Sequence, residues 1–153
     1  MRRIRRIRRG FTIVELLAVM AIIGVLARIG IPRYWELRRR ATASAVIGDL
    51  QAIRHAAINH YQENDVWPPD YASGATPLEL VKYLPDGFPF SRDAYSLDFE
   101  RWTVGNTSVI GVGLVASDPD LAPQVATMLG PSMVAFSSGG SYTFLLVGLG
   151  GTF

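Results

Sequence analysis

The sequence contains no cysteine among its 153 residues. Disulfide bonds, thiolate metal sites and a lipidated N-terminal cysteine are therefore excluded. The sequence also lacks the GKS or GKT triplet of a phosphate-binding loop, and residues 121–153 contain no acid. Apolar side chains are abundant: they form 49% of the chain, enough for one domain and a membrane segment.

The charged residues are distributed very unevenly. Six of the fifteen basic residues are arginines within the first nine positions, while the formal net charge of the whole chain is only +2. Without residues 1–10, nine basic residues face thirteen acidic ones, a formal charge of −4. The basic character therefore belongs to the N-terminal leader. Only Arg33 and residues 38–40, all arginine, cluster elsewhere, which argues against a nucleic-acid-binding domain.

Residues 11–31, FTIVELLAVMAIIGVLARIGI, are apolar except for Thr12, Glu15 and Arg28. As a helix that rises 1.5 Å per residue, this segment is about 31 Å long, which is sufficient to cross the hydrocarbon core of a bilayer. Basic flanks tend to stay in the cytoplasm, and six arginines precede the segment against four that follow it. We therefore expect a single span with the C-terminus outside the cytoplasm.

Glu15 is the unusual residue of this segment. A carboxylate at the centre of a bilayer costs about 2.5–3.5 kcal/mol, but Glu15 lies only about 6 Å from Phe11 along a helix axis. In a plain anchor helix, the side chain can reach toward the membrane surface. It can also pair with a free α-amine of Phe11 on a neighbouring helix, provided that the chain is cut between Gly10 and Phe11. The segment alone leaves both interpretations open.

The wider N-terminal pattern consists of a basic leader, a glycine, a phenylalanine, a glutamate four residues later and a long apolar run. The residues that carry it are Gly10, Phe11, Thr12, Glu15, Leu16, Leu17, Gly24 and Pro32. This pattern resembles the class III signal of type IV pilins and type II secretion pseudopilins. The resemblance covers roughly residues 1–62. It implies an α+β, pilin-like fold in which a long N-terminal helix packs on a small antiparallel sheet.

The resemblance also implies roles for individual residues. In the family, a prepilin peptidase cuts after the glycine and methylates the new N-terminal phenylalanine, which here are Gly10 and Phe11. Glu15 matches the family glutamate that pairs with the N-terminus of a neighbouring subunit during assembly. Gly24 and Pro32 match positions around which the family's helix can loosen in the filament, and both residue types weaken a helix interior.

Two features depart from this interpretation or compete with it. Arg28 stands where the family usually carries a small apolar residue, and it can either reach the outer interface or pair with an acid on a neighbouring subunit. The leader also resembles a twin-arginine export motif, with residues 25–27 (VLA) as a signal-peptidase site that makes Arg28 the mature N-terminus. The glutamate inside the apolar run and the helical pattern beyond Pro32 argue against that route.

Residues 32–62 continue as an amphipathic helix, because apolar residues recur at spacings near three, four and seven. We therefore predict one helix of about 50 residues, with a first half (11–31) suited to lipid or helix contacts and a second half that packs on a sheet. The predicted apolar stripe consists of Leu37, Ala43, Val46, Leu50, Ile53, Ala57 and Tyr61.

Residues 63–153 predict a globular antiparallel β domain. Residues 64–95 are rich in proline and glycine and are expected to be mostly loop, with one short helix that a capping box begins at Thr76 and that ends at Leu84. A second short helix is predicted over 118–129. About four strands are predicted. The first starts at Ala94 and ends at a Gly105-Asn106 turn, and the others cover 107–116, 132–136 and 142–147.

No constellation of side chains predicts an active site, a cofactor or a metal. His55 and His60 are five residues apart, so they do not share a helix face as zinc ligands four apart do. Residues 111–113 (GVG) lack the third glycine and the helix of a dinucleotide loop, so strand packing or a bulge explains them better. Asp118 and Asp120 lack further oxygen ligands in spacing, which favours a helix cap over a calcium site.

The sequence therefore predicts a structural subunit of a type IV pilus-like filament, from a type II secretion or type IV pilus system, and not an enzyme. The resemblance implies other copies and other pilins or pseudopilins, the prepilin peptidase and an assembly platform with its ATPase as partners in the bacterial inner membrane. Nucleic acid is not expected unless the filament takes up DNA. Small size and the lack of a disulfide-closed C-terminal loop favour a pseudopilin. The alternative is a membrane-anchored or twin-arginine-exported periplasmic binding domain that does not polymerise.

Overall fold

The first helix dominates the chain. The computed structural model describes residues 11–105, 107–138 and 141–147, and the chain divides into two compact units after Arg38. Helix α1 covers Ile13–Asn64, 52 residues, and continues through Pro32. The predicted single long helix is therefore confirmed.

Within the second unit, one apolar stripe holds the rear part of α1 against the sheet. Five residues of the predicted stripe are fully buried and belong to a single hydrophobic core that also contains strand residues. These five are Ala43, Val46, Leu50, Ile53 and Ala57. The ends of the predicted stripe differ from this. Leu37 is 64% exposed, and Tyr61 stacks on Trp67 with a ring-centroid distance of 4.3 Å.

Four antiparallel strands form one sheet in the order β1-β2-β4-β3. Strand β1 covers Tyr95–Val104 and pairs with β2, Thr107–Ala116. Strand β4, Ser141–Val147, lies between β2 and β3, which covers Ala135–Ser138. Alternate residues of β1 are buried, as the period of two predicted. The predicted α+β layout, a long helix on four antiparallel strands, is therefore confirmed.

The third strand begins three residues later than predicted. Helix α2 covers Leu121–Leu129, and a 3-10 turn, Gly130–Ser132, follows it directly. Gly130 ends the helix with a φ of 60°, a conformation that glycine adopts readily, and Pro131 follows. The turn includes Ser132, which was predicted to start the strand, and β3 starts only at Ala135.

The short helix predicted to end at Leu84 is wrong, since residues 78–83 form successive turns. Their hydrogen bonds are mostly of the three-residue kind, such as Leu80 N–H to the Pro77 carbonyl at 3.0 Å. The predicted capping box is also not formed, because Oε2 of Glu79 is buried without a partner among the described residues. So short a segment gains few helical hydrogen bonds, and helix initiation is costly.

Gly111 allows the middle of the sheet to pack closely. A Cβ at this position would lie 2.8 Å from Cζ3 of Trp102 and 2.9 Å from Cγ2 of Thr143. The pairing of β2 with β4 also shifts register between Ile110 and Gly111. The prediction that the glycines of 111–113 serve strand packing or a bulge is therefore confirmed.

Candidate processing and assembly site

The predicted site around Phe11 and Glu15 lies at the start of α1, where Thr12 precedes the first helical residue. The amide and the hydroxyl of Thr12 each donate to Oε2 of Glu15 at 2.9 Å. In return, the amide of Glu15 donates to Oγ1 of Thr12 at 3.2 Å. This reciprocal arrangement is a capping box, which satisfies amide groups that a helix start otherwise leaves without partners.

The capping box changes the physical account of Glu15. The sequence left two surroundings open for this carboxylate, the membrane surface or the α-amine of Phe11 on a neighbouring helix, and the family resemblance favoured the second. In the structure, Oε2 already accepts two hydrogen bonds, whereas Oε1 accepts none from the described residues. The Thr-x-x-Glu pattern of residues 12–15 is the signal that identifies this interaction in the sequence. Glu15 therefore has one oxygen bound within its own chain and one that is accessible to a second molecule.

The surface of α1 in the first unit is apolar and uncovered. Phe11 is 83% exposed, and every large apolar side chain from residue 13 to residue 31 is at least 44% exposed. In length and composition, α1 is the one helix of the described part of the chain that could cross a membrane. A continuous exposed apolar surface of this extent marks contact with lipid or with other proteins.

Gly24 and Pro32, the predicted loosening positions, both lie within the continuous helix α1. A Cβ at Gly24 would meet no atom within 4 Å, so packing within the chain does not require glycine there. Pro32 has no amide hydrogen and cannot donate to the carbonyl of Arg28. Loosening in a filament stays a prediction. Gly10 and the rest of the predicted leader, 1–10, lie outside the described residues.

A partly buried ion pair that the sequence analysis missed fixes the rear part of α1. Nε and Nη2 of Arg92 donate to Oδ2 and Oδ1 of Asp49 at 2.8 and 2.9 Å, and the hydroxyl of Tyr95 donates to Oδ2 at 2.6 Å. The pKa of Tyr95 is raised, mainly by burial and secondly by the hydrogen bond to Asp49. These partners are 43 and 46 residues from Asp49, so no local pattern identifies them. The cluster joins the helix to β1 and has a structural role.

A second ion pair occupies the two acids considered for calcium. Arg39 contacts Oδ2 of Asp118 at 2.7 Å and Oδ2 of Asp120 at 3.3 Å. The amide of Asp120 donates to Oδ1 of Asp118 and, together with Arg39, lowers the pKa of Asp118. The favoured cap is not formed as expected, because the Asp120 side chain makes no capping hydrogen bond to α2.

The histidines are not brought together into a site. His55 is exposed, whereas Nδ1 of His60 lies 2.9 Å from the carbonyl of Val66. Among the described residues, no group of three or more histidine, aspartate or glutamate side chains could hold a metal ion.

The arrangement as a whole defines a class of protein. The first half of α1 is apolar and uncovered and has an acid near its N-terminus, and the rear part of the same helix packs on a small antiparallel sheet. Such a protein is attached to its surroundings through the first half of one helix, in lipid or in contact with other chains.

The comparisons with known proteins agree with this class. The model of the prokaryotic N-terminal methylation motif matches residues 5–27. The type IV major pilin protein PilE1 of Neisseria gonorrhoeae is 32% identical over 77 residues, which are 50% of this chain and 36% of that pilin. The fimbrial protein EcpC of Eikenella corrodens is 34% identical over 46% of each chain. A fimbrial protein of Pseudomonas aeruginosa is 35% identical over 46% of this chain and 44% of its own.

These matches confirm the resemblance seen in the sequence: the chain carries the methylation motif of class III prepilins and has homologues among the type IV pilins and fimbrial proteins. The expectation of a structural subunit rather than an enzyme agrees with them. The apolar N-terminal helix and the pilin homology together indicate a membrane or pilus location. The chain spans less than half the length of these relatives. No solved structure matches the chain significantly.

Proposed function

We propose that the chain is a non-catalytic subunit of a type IV pilus-like filament that assembles through the first half of α1. The observation that carries this proposal is the state of Glu15 within a matched methylation motif. Its carboxylate is oriented by Thr12 through one oxygen, and its other oxygen is accessible on an uncovered apolar helix. A positive chain end on a second copy is a suitable partner for that oxygen.

The proposed processing creates this positive chain end. A prepilin peptidase removes residues 1–10 by cutting between Gly10 and Phe11 and then methylates the α-amine of Phe11. The methylated amine keeps its charge and lies four residues before Glu15, which corresponds to about 6 Å of helix. The amine of one copy therefore meets Glu15 of another when the two helices are parallel and displaced by about one turn.

Before assembly, we propose that residues 11–31 span the inner membrane once, with 32–62 and 63–153 outside the cytoplasm. The six leader arginines against the four that follow the span support this orientation. An assembly platform with its ATPase then moves the subunit outward into a bundle of other copies. The apolar side chains exchange lipid for neighbouring helices, so packing and charge pairing, rather than a gain in hydrophobic burial, determine the arrangement.

Gly24 and Pro32 are proposed to let the helix loosen within that bundle. Glycine costs about 1 kcal/mol and proline about 3 kcal/mol in a helix interior, so the segment between them is the weakest part of the span. Because Pro32 cannot donate to the Arg28 carbonyl, one helical hydrogen bond is already missing there.

The relatives support a pilus more than a secretion filament. The matched proteins in Neisseria, Eikenella and Pseudomonas are named as type IV pilins or fimbrial proteins. This favours a pilus subunit over the pseudopilin that small size and the lack of a disulfide-closed loop favoured. Identification of the proteins that copurify with the sheared filament distinguishes the two.

Mass spectrometry of the mature N-terminus tests the processing step. We expect a chain that begins at methylated Phe11, and we expect Gly10→Val to remain uncut with its arginine leader. A mature chain that begins at Arg28 would instead support the twin-arginine alternative and a domain that does not polymerise. An intact leader on the wild-type chain would contradict both routes.

The role of the Glu15 charge is tested with Glu15→Gln, which keeps a side-chain acceptor for Thr12 but carries no charge. We expect normal processing and membrane insertion but a loss of filaments, counted by electron microscopy and in the sheared fraction. Glu63→Gln, an exposed glutamate of the second unit, is the matched control and should assemble normally. Normal assembly of Glu15→Gln would refute this account of the carboxylate.

A further inference from the structure

Arg28 is the one charged residue between Glu15 and Arg33, and it is exposed on the apolar surface of α1. None of the described residues forms a hydrogen bond or an ion pair with its side chain. An arginine keeps its charge in a protein, so it cannot adapt to an apolar bundle by losing a proton. In a filament built on α1, its guanidinium therefore needs water or an acid on another chain.

Few acids on a neighbouring α1 helix are available to pair with Arg28. Between residues 11 and 48 the sequence has two, Glu15 and Glu36. Glu15 is engaged by Thr12 and, in the proposed filament, by the N-terminus of a neighbour. Glu36 is exposed on α1, eight residues beyond Arg28, or about 12 Å along the axis.

Arg28 could pair with either acid of a neighbouring copy, and the displacement that each pairing requires decides between Glu36 and Glu15. The pairing of the Phe11 amine with Glu15 requires that the copy that provides the amine is displaced outward by four residues, about 6 Å. A pairing of Arg28 with Glu36 requires an outward displacement by eight residues, about 12 Å, in the same direction. A pairing of Arg28 with Glu15 requires about 20 Å in the opposite direction. Because an arginine side chain is long and flexible, one displacement between 6 and 12 Å satisfies the first two pairings together.

The helix also presents these charges on different sides. At about 100° per residue, Glu15 and Glu36 lie about 60° apart, so both acids face roughly the same side of α1. Arg28 lies about 140° from Glu15 and about 80° from Glu36, so it faces a different side from the two acids. An interface between an acidic side and a cationic side is heterologous, and interfaces of this type continue into open helical filaments rather than closed dimers.

We propose that Arg28 of one copy binds Glu36 of the neighbouring copy, as a second charge pair that sets the register of the helices. The proposal rests on the filament function proposed above. Glu36 also has an interaction within its own chain. This does not prevent the pairing, since a carboxylate has about four acceptor positions on its two oxygens.

The absence of cysteine makes a direct crosslinking experiment possible. In the double variant Arg28→Cys with Glu36→Cys, the two thiols of one helix are about 12 Å apart, too far for a disulfide within the chain. Purified filaments treated with an oxidant or a short bis-maleimide should therefore give a ladder of multimers on a non-reducing gel. Each single variant should give at most dimers. Leu26→Cys with Glu36→Cys is the register control and should give no ladder, because Leu26 lies about 160° from Arg28 around the helix.

Exchanging the two charges measures how much the pair of Arg28 and Glu36 contributes to filament yield. We expect Arg28→Glu and Glu36→Arg each to reduce filament yield at least about tenfold, since a charge-assisted hydrogen bond contributes that much to an equilibrium. The combined variant should recover most of the yield, while Arg33→Gln should assemble normally. The membrane fraction of each variant is measured as well, so that a loss of insertion is recognised.

The outcomes separate this proposal from the filament function itself. If wild-type chains form filaments that depend on Glu15, but Arg28→Leu assembles normally and the paired cysteines give no ladder, the proposal is refuted and the filament function remains. Arg28 then reaches only the membrane surface. If wild-type chains keep their leader or form no filaments, the underlying function fails instead.

Discussion

The two halves of α1 have the same backbone but opposite surroundings. Between residues 13 and 31, every large apolar side chain is exposed, whereas Val46, Leu50 and Ile53 are fully buried. The front half repeats apolar residues in all directions and the rear half in a single stripe. An apolar sequence therefore does not by itself make a core. The periodicity of the apolar residues decides whether a helix packs within its own chain or presents its apolar surface to lipid or to other chains.

The largest expected effect comes from a matched pair of leucines on the same helix. Leu50→Ala removes a fully buried side chain and should lower the free energy of unfolding of the second unit by about 3 kcal/mol. Leu26→Ala, where the side chain is 64% exposed, should leave that free energy within about 0.5 kcal/mol of the wild type. Chemical denaturation in detergent, followed through a tryptophan signal, measures both. Equal losses would mean that the front half also packs within the chain.

The buried acid of the rear half provides the next test. Asp49→Asn leaves Arg92 and Tyr95 without their charged acceptor and should destabilise the second unit by about 2 kcal/mol. This is below the usual loss for a fully buried pair, because the Arg92 side chain is partly exposed. Asp93→Asn, an exposed neighbour in sequence, is the control in the same thermal-unfolding experiment. A similar melting temperature for both variants would contradict the role assigned to the cluster.

Two glycines should respond with opposite signs to the same substitution. Gly111→Ala introduces a Cβ that collides with Trp102 and Thr143, and we expect a destabilisation of about 1–2 kcal/mol. Gly24→Ala meets open space in a helix and should increase helix stability by about 0.5–1 kcal/mol. Denaturation of the second unit measures the former, and the helical content of α1 in detergent by circular dichroism measures the latter. Destabilisation by Gly24→Ala would mean that the front half has a packing partner within its own chain.

The smallest expected effect is a dependence of stability on acid pH. Burial is the main cause of the raised pKa of Glu100, which the hydrogen bond from Thr143 lowers only in part. Since the folded state binds this proton more tightly than the unfolded state, stability should rise as the pH falls through the folded pKa toward the ordinary glutamate value. Glu100→Gln should reduce this gain and should not destabilise the protein at pH 7. A variant that keeps the full acid-side gain would assign it to another group, with Asp98 the first candidate.

Local patterns predicted most of the fold because the elements depend on neighbours in sequence. The period-two alternation from Tyr95 and the three-four spacing from Ala43 to Ala57 each indicated the correct element and its buried face. The prediction of a short helix near Leu80 was wrong. Its capping signals are present, but the segment is too short for its few helical hydrogen bonds to offset the cost of starting a helix.

The candidate site was predicted only in part. The motif around Phe11 was recognisable, and the Thr-x-x-Glu pattern was present, but the carboxylate of Glu15 was interpreted through its membrane setting and not as a helix cap. The Asp49 cluster could not be predicted, because its partners come from distant parts of the chain and meet only in the folded state. Long-range polar contacts carry no periodic signal in sequence.

In the proposed filament, the capping box has a consequence for the addition of each subunit. A glutamate that rotates freely must lose side-chain entropy when a partner arrives, whereas Glu15 is already fixed by Thr12 before any second copy is present. In the proposed filament, an incoming subunit therefore meets an acceptor that already points in a definite direction. If the filament forms as proposed, the hydroxyl of Thr12 would thus reduce the entropy cost of each addition, although it touches no other molecule.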